Sequence, residues 1–339
     1  MDIRQIGEFG LIERIREDAI VEAATVVAGI GDDAAVVLAT PKHFQLLTTD
    51  MLVESVHFDL STISPWQLGY KAIAVNLSDI AAMGGIPRQV LISLALPSDV
   101  TIEFVDGLYQ GIKEICRQHV VNIVGGDTVS SPNGIVINVV VLGEVEPAYL
   151  QRRSGANAGD LIVVTGNLGD SSAGLELLQR GRWEEFKFAW PLVTSHLTPR
   201  PHLKEGRVLA AHTATSMNDI SDGLASEANE IANASQVCLR IDAERIPVST
   251  ELREAAIHLG KDSLEYALYG GEDYKLLATL PPEALAAVSA QVDVTVIGVV
   301  EKGEPGVFLL EENGALLRLE AKGYNHFRQN EKGEHDVAM

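Results

Sequence analysis

The sequence predicts a mixed α/β (α+β) fold divided into two domains, and three observations support this prediction. Its 339 residues are enough for two domains of ordinary size. Segments with strand and helix periodicity are interspersed without a regular βαβ repeat, which favours α+β domains over one doubly wound parallel sheet. A turn-rich connection at residues 146–160 separates two such mixtures. We therefore expect a first domain at 1–148, a second α/β domain at 149–330 and a flexible polar tail at 331–339.

The first half contains one helix whose two ends are both marked in the sequence. Ser64 is a suitable N-cap and Pro65 a suitable first helical residue. Gly84, Gly85 and Pro87 end this helix. Hydrophobic periodicity predicts the other elements, which are a helix at 3–16, strands at 34–39, 44–49, 90–96, 121–124 and 135–143, and a helix at 102–119.

The second half repeats this mixture of strands and helices with different lengths. It begins with a short apolar strand at 161–165, directly after the turn-rich connection. The remaining predicted elements are helices at 171–179, at 201–212 and after Asp222, and strands at 274–280 and 294–300.

The charge balance excludes one large class of function. The chain has 47 acidic and 26 basic residues, a formal net charge of −21. A general nucleic-acid binder needs a basic surface to displace counterions, so this class is disfavoured. The same charge means that a polyanionic substrate would need bound cations in order to approach.

Cysteine usage and hydropathy indicate a cytoplasmic protein. Cys116 and Cys238 are far apart in the sequence, with no CxxC pattern, so we expect free thiols rather than a disulfide or a zinc site. The N-terminal segment "MDIRQIGEFGLIERI" carries charges throughout and lacks the apolar core of a secretory signal. No run approaches the roughly 18 apolar residues that a membrane span requires.

Acidic residues recur beside glycine or at the ends of predicted strands. Any one of them is explained well as a turn former or a helix cap, and "ISDGL" alone is equally consistent with a simple N-cap. Five such stretches together favour ligands, because a rigid strand holds a carboxylate in place and glycine permits close approach. The residues are Asp32 and Asp33 after "GIG", Asp50 and Asp127 at strand ends, Asp219 and Asp222 in "NDISDGL", and Glu272 and Asp273 after "YGG".

Asp79 lies in the most apolar helix of the chain. It shares a face with Asn76, three residues earlier. A buried carboxylate is costly unless a cation or metal pairs with it. Two explanations remain open, a salt bridge to Lys71 or Arg88 and a metal ion, and the other carboxylates favour the metal.

Oxygen ligands without a Cys/His cluster indicate magnesium rather than zinc. Thr48 and Thr49 add hydroxyl groups directly before Asp50. On this hypothesis Asp32 and Asp33 hold metals that contact phosphate, while the "GIG" turn at 29–31 keeps side chains out of the way.

A series of motifs in fixed order resembles the thiamine-monophosphate kinase family. The resemblance extends from about Gly7 to Phe327, nearly the whole chain. The glycine–aspartate elements are shared with the wider aminoimidazole ribonucleotide synthetase superfamily, whereas "VESVHF" and "GYNHF" are more specific marks. The motifs are "GIGDDAAV", "TTDMLVESVHF", "NLSDIAAMG", "GGDT", "RSGANAGD", "DISDGL", "GGEDYKLL" and "GYNHF".

The resemblance implies a fold, a reaction and a set of site residues. It implies the two-domain aminoimidazole ribonucleotide synthetase-like fold, in which the N-terminal domain binds ATP and magnesium and its sheet forms the interface of a homodimer. The implied reaction transfers the γ-phosphoryl group of ATP to thiamine monophosphate, without a covalent nucleophile or a dedicated base. The implied magnesium ligands are Asp33, Thr48, Thr49, Asp50, Asp79, Asp127, Asp219 and Asp222. The implied ATP contacts are Tyr109, Gly126, Asp127, Arg153 and Ser221, and the implied substrate contacts are His57, Glu272 and Tyr324.

Small departures and two alternatives accompany this assignment. Tyr269 stands where a serine is common before "GGED", and Asn325 where an aspartate is common in "GYDHF". One alternative is another ATP-using member of the same superfamily, against which "GYNHF" argues. The other is a non-catalytic thiamine-phosphate-binding protein, which would have no need for so many metal carboxylates.

Overall fold

The structure, a computed structural model, describes residues 26–28, 32–40 and 42–322. The predicted helix at 3–16, the "GIG" turn, the "GYNHF" motif and the C-terminal tail lie outside the described residues. No helix within the described ranges is both long and apolar enough to cross a bilayer.

The first half forms a six-stranded sheet with two helices packed on one face. Its strand order is β1-β2-β3-β6-β4-β5, and every pairing is antiparallel except β4 with β5. Helix α2 packs against α1 and contacts β5. The elements are β1 (Val26–Ala28), β2 (Ala35–Leu38), β3 (Phe44–Val53), α1 (Pro65–Ala82), β4 (Ile86–Leu96), α2 (Ile102–Gln118), β5 (Asn122–Ser130) and β6 (Val136–Val145).

Helix α1 begins where the sequence predicts, at a complete capping box. The Ser64 hydroxyl accepts from the Gln67 amide at 3.3 Å, and the Gln67 side chain accepts from the Ser64 amide at 2.9 Å. Most of the helix is buried on all sides, and it contacts strands of both sheets. Its few polar residues are therefore held at fixed positions between the two halves of the chain.

The second half forms a seven-stranded sheet in the order β13-β12-β9-β11-β7-β10-β8. Again one pair is parallel, here β9 with β12. The strands are β7 (Leu161–Val164), β8 (Ser216–Asp219), β9 (Cys238–Asp242), β10 (Leu276–Leu280), β11 (Thr295–Glu301), β12 (Gly306–Leu310) and β13 (Leu316–Leu319). The helices are α3 (Asp170–Arg180), α4 (Ala189–Leu197), α5 (Leu203–Ala211), α6 (Leu224–Ser235), α7 (Thr250–Leu259), α8 (Ser263–Tyr269) and α9 (Leu285–Ser289).

These elements confirm the mixed α/β class predicted for both halves, with some differences in length. Strands β3 and β5 continue past the predicted ends, so Asp50 and Asp127 lie within strands rather than at strand ends. Both strands continue because their backbones stay paired, β3 with β6 through Val53 and β5 with β4 through Ser130. The boundary at residue 148 remains a prediction.

The faces of the first sheet differ sharply in burial. On the face that α1 covers, Leu46, Thr48 and Leu52 of β3 are buried. On the opposite face, called here the open face, Thr49 and Met51 are exposed. Every residue of β5, the edge strand, is also exposed. A strand alternates its side chains between faces, so neighbours in sequence lie in opposite environments.

Candidate functional site

Three carboxylates from distant parts of the sequence meet between the two halves. Asp33 precedes β2, Asp79 lies on α1 and Asp219 ends β8. Each offers a ligand oxygen, and these oxygens all lie within 4.8 Å of one another. The carboxylate triad, Asp33–Asp79–Asp219, is thus the arrangement that the "GIGDDAAV", "NLSDIAAMG" and "DISDGL" motifs predict as a metal site.

Neutral donors, rather than cations, hold two members of the triad. The Thr48 hydroxyl donates to Asp79 Oδ2, and the Ser78 hydroxyl donates to Asp219 Oδ2 at 2.6 Å. Burial raises the pKa of both carboxyls well above the usual value, and neighbouring carboxylates add to the shift. The hydrogen bonds from Thr48 and Ser78 therefore do not fully compensate the cost of holding these carboxylates ionised.

The salt-bridge explanation for Asp79 is wrong. Lys71 pairs instead with Glu272 at 2.9 Å, and Arg88 pairs with Glu144 at 2.6 Å. Among the described residues, no lysine or arginine pairs with Asp79. The helix places Lys71 more than two turns away from Asp79, which is too far for a contact.

Asp33 has an oxygen that a metal could use. Its Oδ1 accepts from Arg153 at 2.6 Å, but its Oδ2 is buried and has no hydrogen-bond partner among the described residues. A buried carboxylate oxygen without a hydrogen-bond partner is costly unless a bound ligand, such as a cation, compensates it. The oxygen-only donor set fits a hard divalent cation, as the sequence predicts for magnesium.

Asp50 lies beside the triad on the covered face of the sheet. Burial, and then the negative charge of Asp33, raise the pKa of its carboxyl to about 6. Its backbone amide donates to Asn76 Oδ1 at 3.0 Å. Asn76, which shares a helical face with Asp79, thus ties α1 to β3 directly behind the triad.

Arg153 lies among carboxylates. Its guanidinium donates to Asp33 at 2.6 Å and to Asn218 at 3.2 Å, and it pairs with Glu230 at 2.7 Å. Asp32 is 3.9 Å away. A guanidinium has several donors in a planar fork, so it can hold these acids and still turn an N–H toward a phosphate.

A second acidic group surrounds Ser221 and Asp222. The buried Glu227 accepts from the Asp222 amide at 3.1 Å and from the Ser221 hydroxyl at 3.3 Å. The N-cap hypothesis for "ISDGL" is wrong, since α6 begins at Leu224 with Gly223 as its cap and no side-chain hydrogen bond. Glu227 and Glu230 were missed, although their spacing of three residues places them on one face of α6, where both accept from Asn218.

Glu272 lies at the edge of this acidic region and contacts Lys71 and His196. Lys71 Nζ lies 2.9 Å from its Oε2 and His196 Nδ1 lies 3.2 Å from the same oxygen. His57 is close enough to help lower the pKa of Glu272. The structure therefore brings together His57 and Glu272, two of the three predicted substrate contacts.

Tyr274 is a further residue that sequence reasoning missed. It is buried, and burial followed by Glu272, Asp50, Asp219 and Asp222 raises the pKa of its hydroxyl well above the usual value. Its side chain is therefore near both the predicted metal ligands and Glu272, the predicted substrate contact. Its position directly after "GGED" was the available signal.

Asp273 has a local structural role instead. Its carboxylate accepts from the Gly169 amide at 2.6 Å and from the Ser171 amide at 3.3 Å, at the start of α3. It thus satisfies amides that the first turn of a helix leaves free.

The other predicted ligands lie on the open face or at its edge. The Thr49 hydroxyl donates to Asn138 Oδ1 at 3.0 Å and to the Val139 carbonyl at 2.9 Å. Asp127 is opposite Ser93 on β4, and Ser93 and Met51 are both opposite Asn138. Asp127 is therefore three strand spacings, roughly 14 Å along the sheet, from β3.

Gly126 and Tyr109 belong to the same edge. A Cβ at Gly126 would lie 1.8 Å from the Ile92 carbonyl oxygen, so glycine lets β5 approach β4 closely. Tyr109 lies on α2, the helix that contacts β5, with Lys113 Nζ 5.9 Å from its ring centre. The predicted ATP contacts thus form two groups. Arg153 and Ser221 are near the triad. Tyr109, Gly126 and Asp127 are on β5, the edge strand, or on the helix that contacts it. Tyr324, the remaining predicted substrate contact, lies outside the described residues.

Comparison with protein-family models identifies both halves. Residues 31–145 match the AIR synthase related protein, N-terminal domain, and residues 157–310 match the corresponding C-terminal domain. Together these matches cover well over half of the chain and confirm the AIR synthase-like fold.

Relatives match over nearly their full length. The chain is 39% identical to thiamine-monophosphate kinase of Bacillus subtilis over 336 residues, covering 95% of this chain and all of the relative. It is 42% identical to thiamine-monophosphate kinase of Aquifex aeolicus, covering 96% and 100%. The solved structure of AaThiL complexed with AMPPCP and TMP superposes with a TM-score of 0.86 at 40% identity, covering 96% of this chain and 99% of that one.

Proposed function

The chain belongs to the thiamine-monophosphate kinase family, and on this premise we propose that it transfers the γ-phosphoryl group of ATP to thiamine monophosphate. The products are ADP and thiamine diphosphate. The observation that carries this proposal is the carboxylate triad, in which the Asp33 oxygen that Arg153 leaves unpaired has no partner among the described residues. Such a site can bring two polyanions together only with bound cations, which is the requirement of phosphoryl transfer between phosphates.

Magnesium fits the donor set that the chain supplies. Asp33, Asp79 and Asp219 would hold it from within one chain, with Asp50 beside them. When bound, Mg²⁺ would neutralise phosphate charge and draw the donor and acceptor phosphates together. Thr48, Thr49, Asp127 and Asp222 remain proposed ligands on the basis of the family motifs.

The reaction needs no covalent intermediate. The acceptor is a phosphate monoester whose second pKa near about 6 leaves it mostly dianionic at neutral pH. It can therefore attack in line without a base to remove a proton. The Ser171–His196 contact of 3.2 Å does not supply a nucleophile, because Ser171 is fully buried and meets the same ring nitrogen as Glu272.

Arg153 and Ser221 are the proposed contacts to ATP on the triad side. His57 and Glu272, together with Tyr324, are the proposed contacts to the thiamine end of the acceptor. A carboxylate and a tyrosine ring both suit its positively charged thiazolium. Tyr109, Gly126 and Asp127 complete the proposed ATP contacts.

The open face supports a homodimer. Four apolar side chains there and along β5 are at least one-third exposed, namely Met51, Ile123, Val124 and Val129. Exposed edge strands and apolar faces of this kind are usually covered. We infer that a second copy covers them, and that Asp127 reaches the metal site of the partner subunit rather than that of its own chain.

The cytoplasm is the proposed compartment. Cys116 and Cys238 are both free thiols, which suits a reducing environment with abundant ATP.

Turnover of thiamine monophosphate with Mg·ATP is the deciding experiment, with thiamine diphosphate detected by chromatography. Thiamine itself should not be converted, because its hydroxyl must lose a proton and we propose no dedicated base among the described residues. Efficient conversion of thiamine would contradict the in-line proposal. Binding of thiamine monophosphate without turnover would favour a non-catalytic thiamine-phosphate-binding protein. Turnover of the substrate of aminoimidazole ribonucleotide synthetase would favour another ATP-using member of the superfamily.

A further inference from the structure

Lys71 is an almost completely buried cation with a specific set of partners. Its side chain is 1% exposed. Its ammonium group donates to Glu272 Oε2 at 2.9 Å and lies 3.4 Å from His196 Nε2. A lysine is rarely buried unless it is paired, so α1 carries this charge for the sake of a contact across the two halves of the chain.

His196 completes the same network as a neutral ring. Burial, and then the positive charge of Lys71, lower the pKa of this imidazole to about 3. Because Nε2 faces an ammonium donor, the ring proton belongs on Nδ1, which faces Glu272 Oε2 at 3.2 Å. Lys71 thus donates to Glu272 Oε2, and the His196 Nδ1–H lies beside that oxygen and is shared with the Ser171 hydroxyl, 3.2 Å from Nδ1.

The backbone around Glu272 is pinned as well. Glu272 has φ of 64° and Tyr274 has φ of 50°, a conformation that costs energy for residues with a side chain. The Glu272 amide donates to the Ser221 carbonyl at 2.6 Å, and the Tyr274 amide donates to the Ile220 carbonyl at 2.8 Å. This strained turn is therefore held directly against the segment that carries Asp219 and Asp222.

We propose that Lys71 and His196 are positioning residues that hold Glu272 by Oε2 and so present Oε1 to the positively charged ring of the acceptor. This inference rests on the proposed function and deepens it. Neither residue needs to touch the substrate, since both act through Glu272. Burial alone would raise the pKa of Glu272, but Lys71 and its other basic neighbours outweigh burial and keep it below the usual value.

A double-mutant cycle tests whether Lys71 acts through Glu272. The variants are Lys71→Met, Glu272→Gln and the double variant, with dissociation constants for thiamine monophosphate and for Mg·ATP measured by calorimetry. Each single change should weaken thiamine monophosphate binding roughly tenfold, because the acceptor meets an uncharged or misoriented group. The double variant should be no weaker than Glu272→Gln alone, and Mg·ATP binding should change less than about twofold in all three.

Folding of the variants is controlled within the same set. Lys71→Met leaves a buried carboxylate without its cation and lowers the melting temperature, whereas the double variant removes both charges and recovers stability. If Lys71→Met does not fold, the comparison of Glu272→Gln with the double variant still decides the question. Arg88→Met, which breaks the half-exposed Arg88–Glu144 pair, is the matched control and should bind both ligands normally.

Additive losses in the double variant would overturn the positioning role and leave the proposed function intact. Unchanged thiamine monophosphate binding in the folded Lys71→Met variant would do the same. Failure of the wild-type protein to bind thiamine monophosphate would instead overturn the proposed function, and this assignment with it.

Discussion

The two faces of the first sheet present different chemistry from the same strand. On the covered face, Thr48 and Asp50 point toward α1, where Thr48 donates to Asp79. On the open face, Thr49 and Met51 are exposed, and Asp127 lies three strands away at the edge. The covered side is completed within one chain, whereas the open side has no cover among the described residues.

This difference shows that consecutive residues of one motif need not serve one site. The "TTD" sequence is continuous, yet strand alternation directs Thr48 and Asp50 to one face and Thr49 to the other. A site that combines the covered-face carboxylates of one chain with Asp127 would require a second copy of the chain, whose edge strand β5 brings its Asp127 to that site. Four predictions test this division.

Asp79→Asn should have the largest effect, because it removes a triad carboxylate from the covered side. We expect kcat to fall by roughly 10²–10³-fold or more, as loss of one preorganised electrostatic group does. The fold should survive, since the change removes a charge whose burial is costly, and circular dichroism melting would check this. Asp99→Asn, at an exposed carboxylate, is the control. Near-normal kcat for Asp79→Asn would contradict the triad as the metal site.

Asp127→Asn should lower kcat almost as strongly, but through a different subunit. If Asp127 serves the partner's site, mixing refolded Asp79→Asn and Asp127→Asn chains gives heterodimers with one intact site each. Random pairing should then restore roughly a quarter of wild-type activity. Recovery close to zero would mean that Asp127 serves its own chain or that no dimer forms.

Met51→Glu should prevent dimerisation through the open face and leave the carboxylate triad on the covered face intact. Met51 is 54% exposed on the open face of β3, where a charge opposes burial by a second copy. Light scattering should show the mass falling from that of a dimer to that of one chain, together with a loss of turnover. Ile257→Glu changes an apolar residue that is 83% exposed on α7, and it should do neither. A wild-type protein that is an active monomer would contradict the inferred interface.

The stabilisation of the fold by Mg²⁺ should depend on pH. It should persist in Met51→Glu, because a single chain supplies all three carboxylates of the triad. Burial and neighbouring carboxylates raise the folded-state pKa values of Asp79 and Asp219 well above that of a free aspartate, and raise the pKa of Asp50 to about 6. The metal-free fold thus binds more protons than the unfolded chain, and its stability falls as pH rises through these values. Mg²⁺ must displace those protons, so it should raise the melting temperature by several degrees more at about pH 8 than at about pH 6. An equal rise at both pH values would argue against the triad as the binding site.

Most of the fold could be predicted because its signals are local. The capping box at Ser64 and Gln67 marks the start of α1, and the apolar run of β6 marks a strand. The ends of β3 and β5 could not be predicted in this way, because strand length depends on how far a neighbouring strand remains available for pairing. The helix at 3–16 and the tail stay predictions.

Less of the site could be predicted, because its partners come from distant segments. The family motifs identified Asp33, Asp79 and Asp219, and the structure brings these three together. No local pattern showed that Lys71 pairs with Glu272, 201 residues later, rather than with Asp79. Glu227 and Tyr274 escaped notice for the same reason, since their importance comes from burial beside other acids.

The sequence by itself determined the fold class, the family and the demand for oxygen-bound cations, because these depend on periodicity, motif order and the kinds of side chain present. Only the tertiary structure decided which carboxylates share a site and which face each one occupies. Pairing of strands separates Thr49 and Asp127 from Asp79, while the packing of α1 between the two sheets brings Lys71 to Glu272 and Asp79 to Asp219. Electrostatic energy depends on distance and burial, and both are set only when the chain is folded.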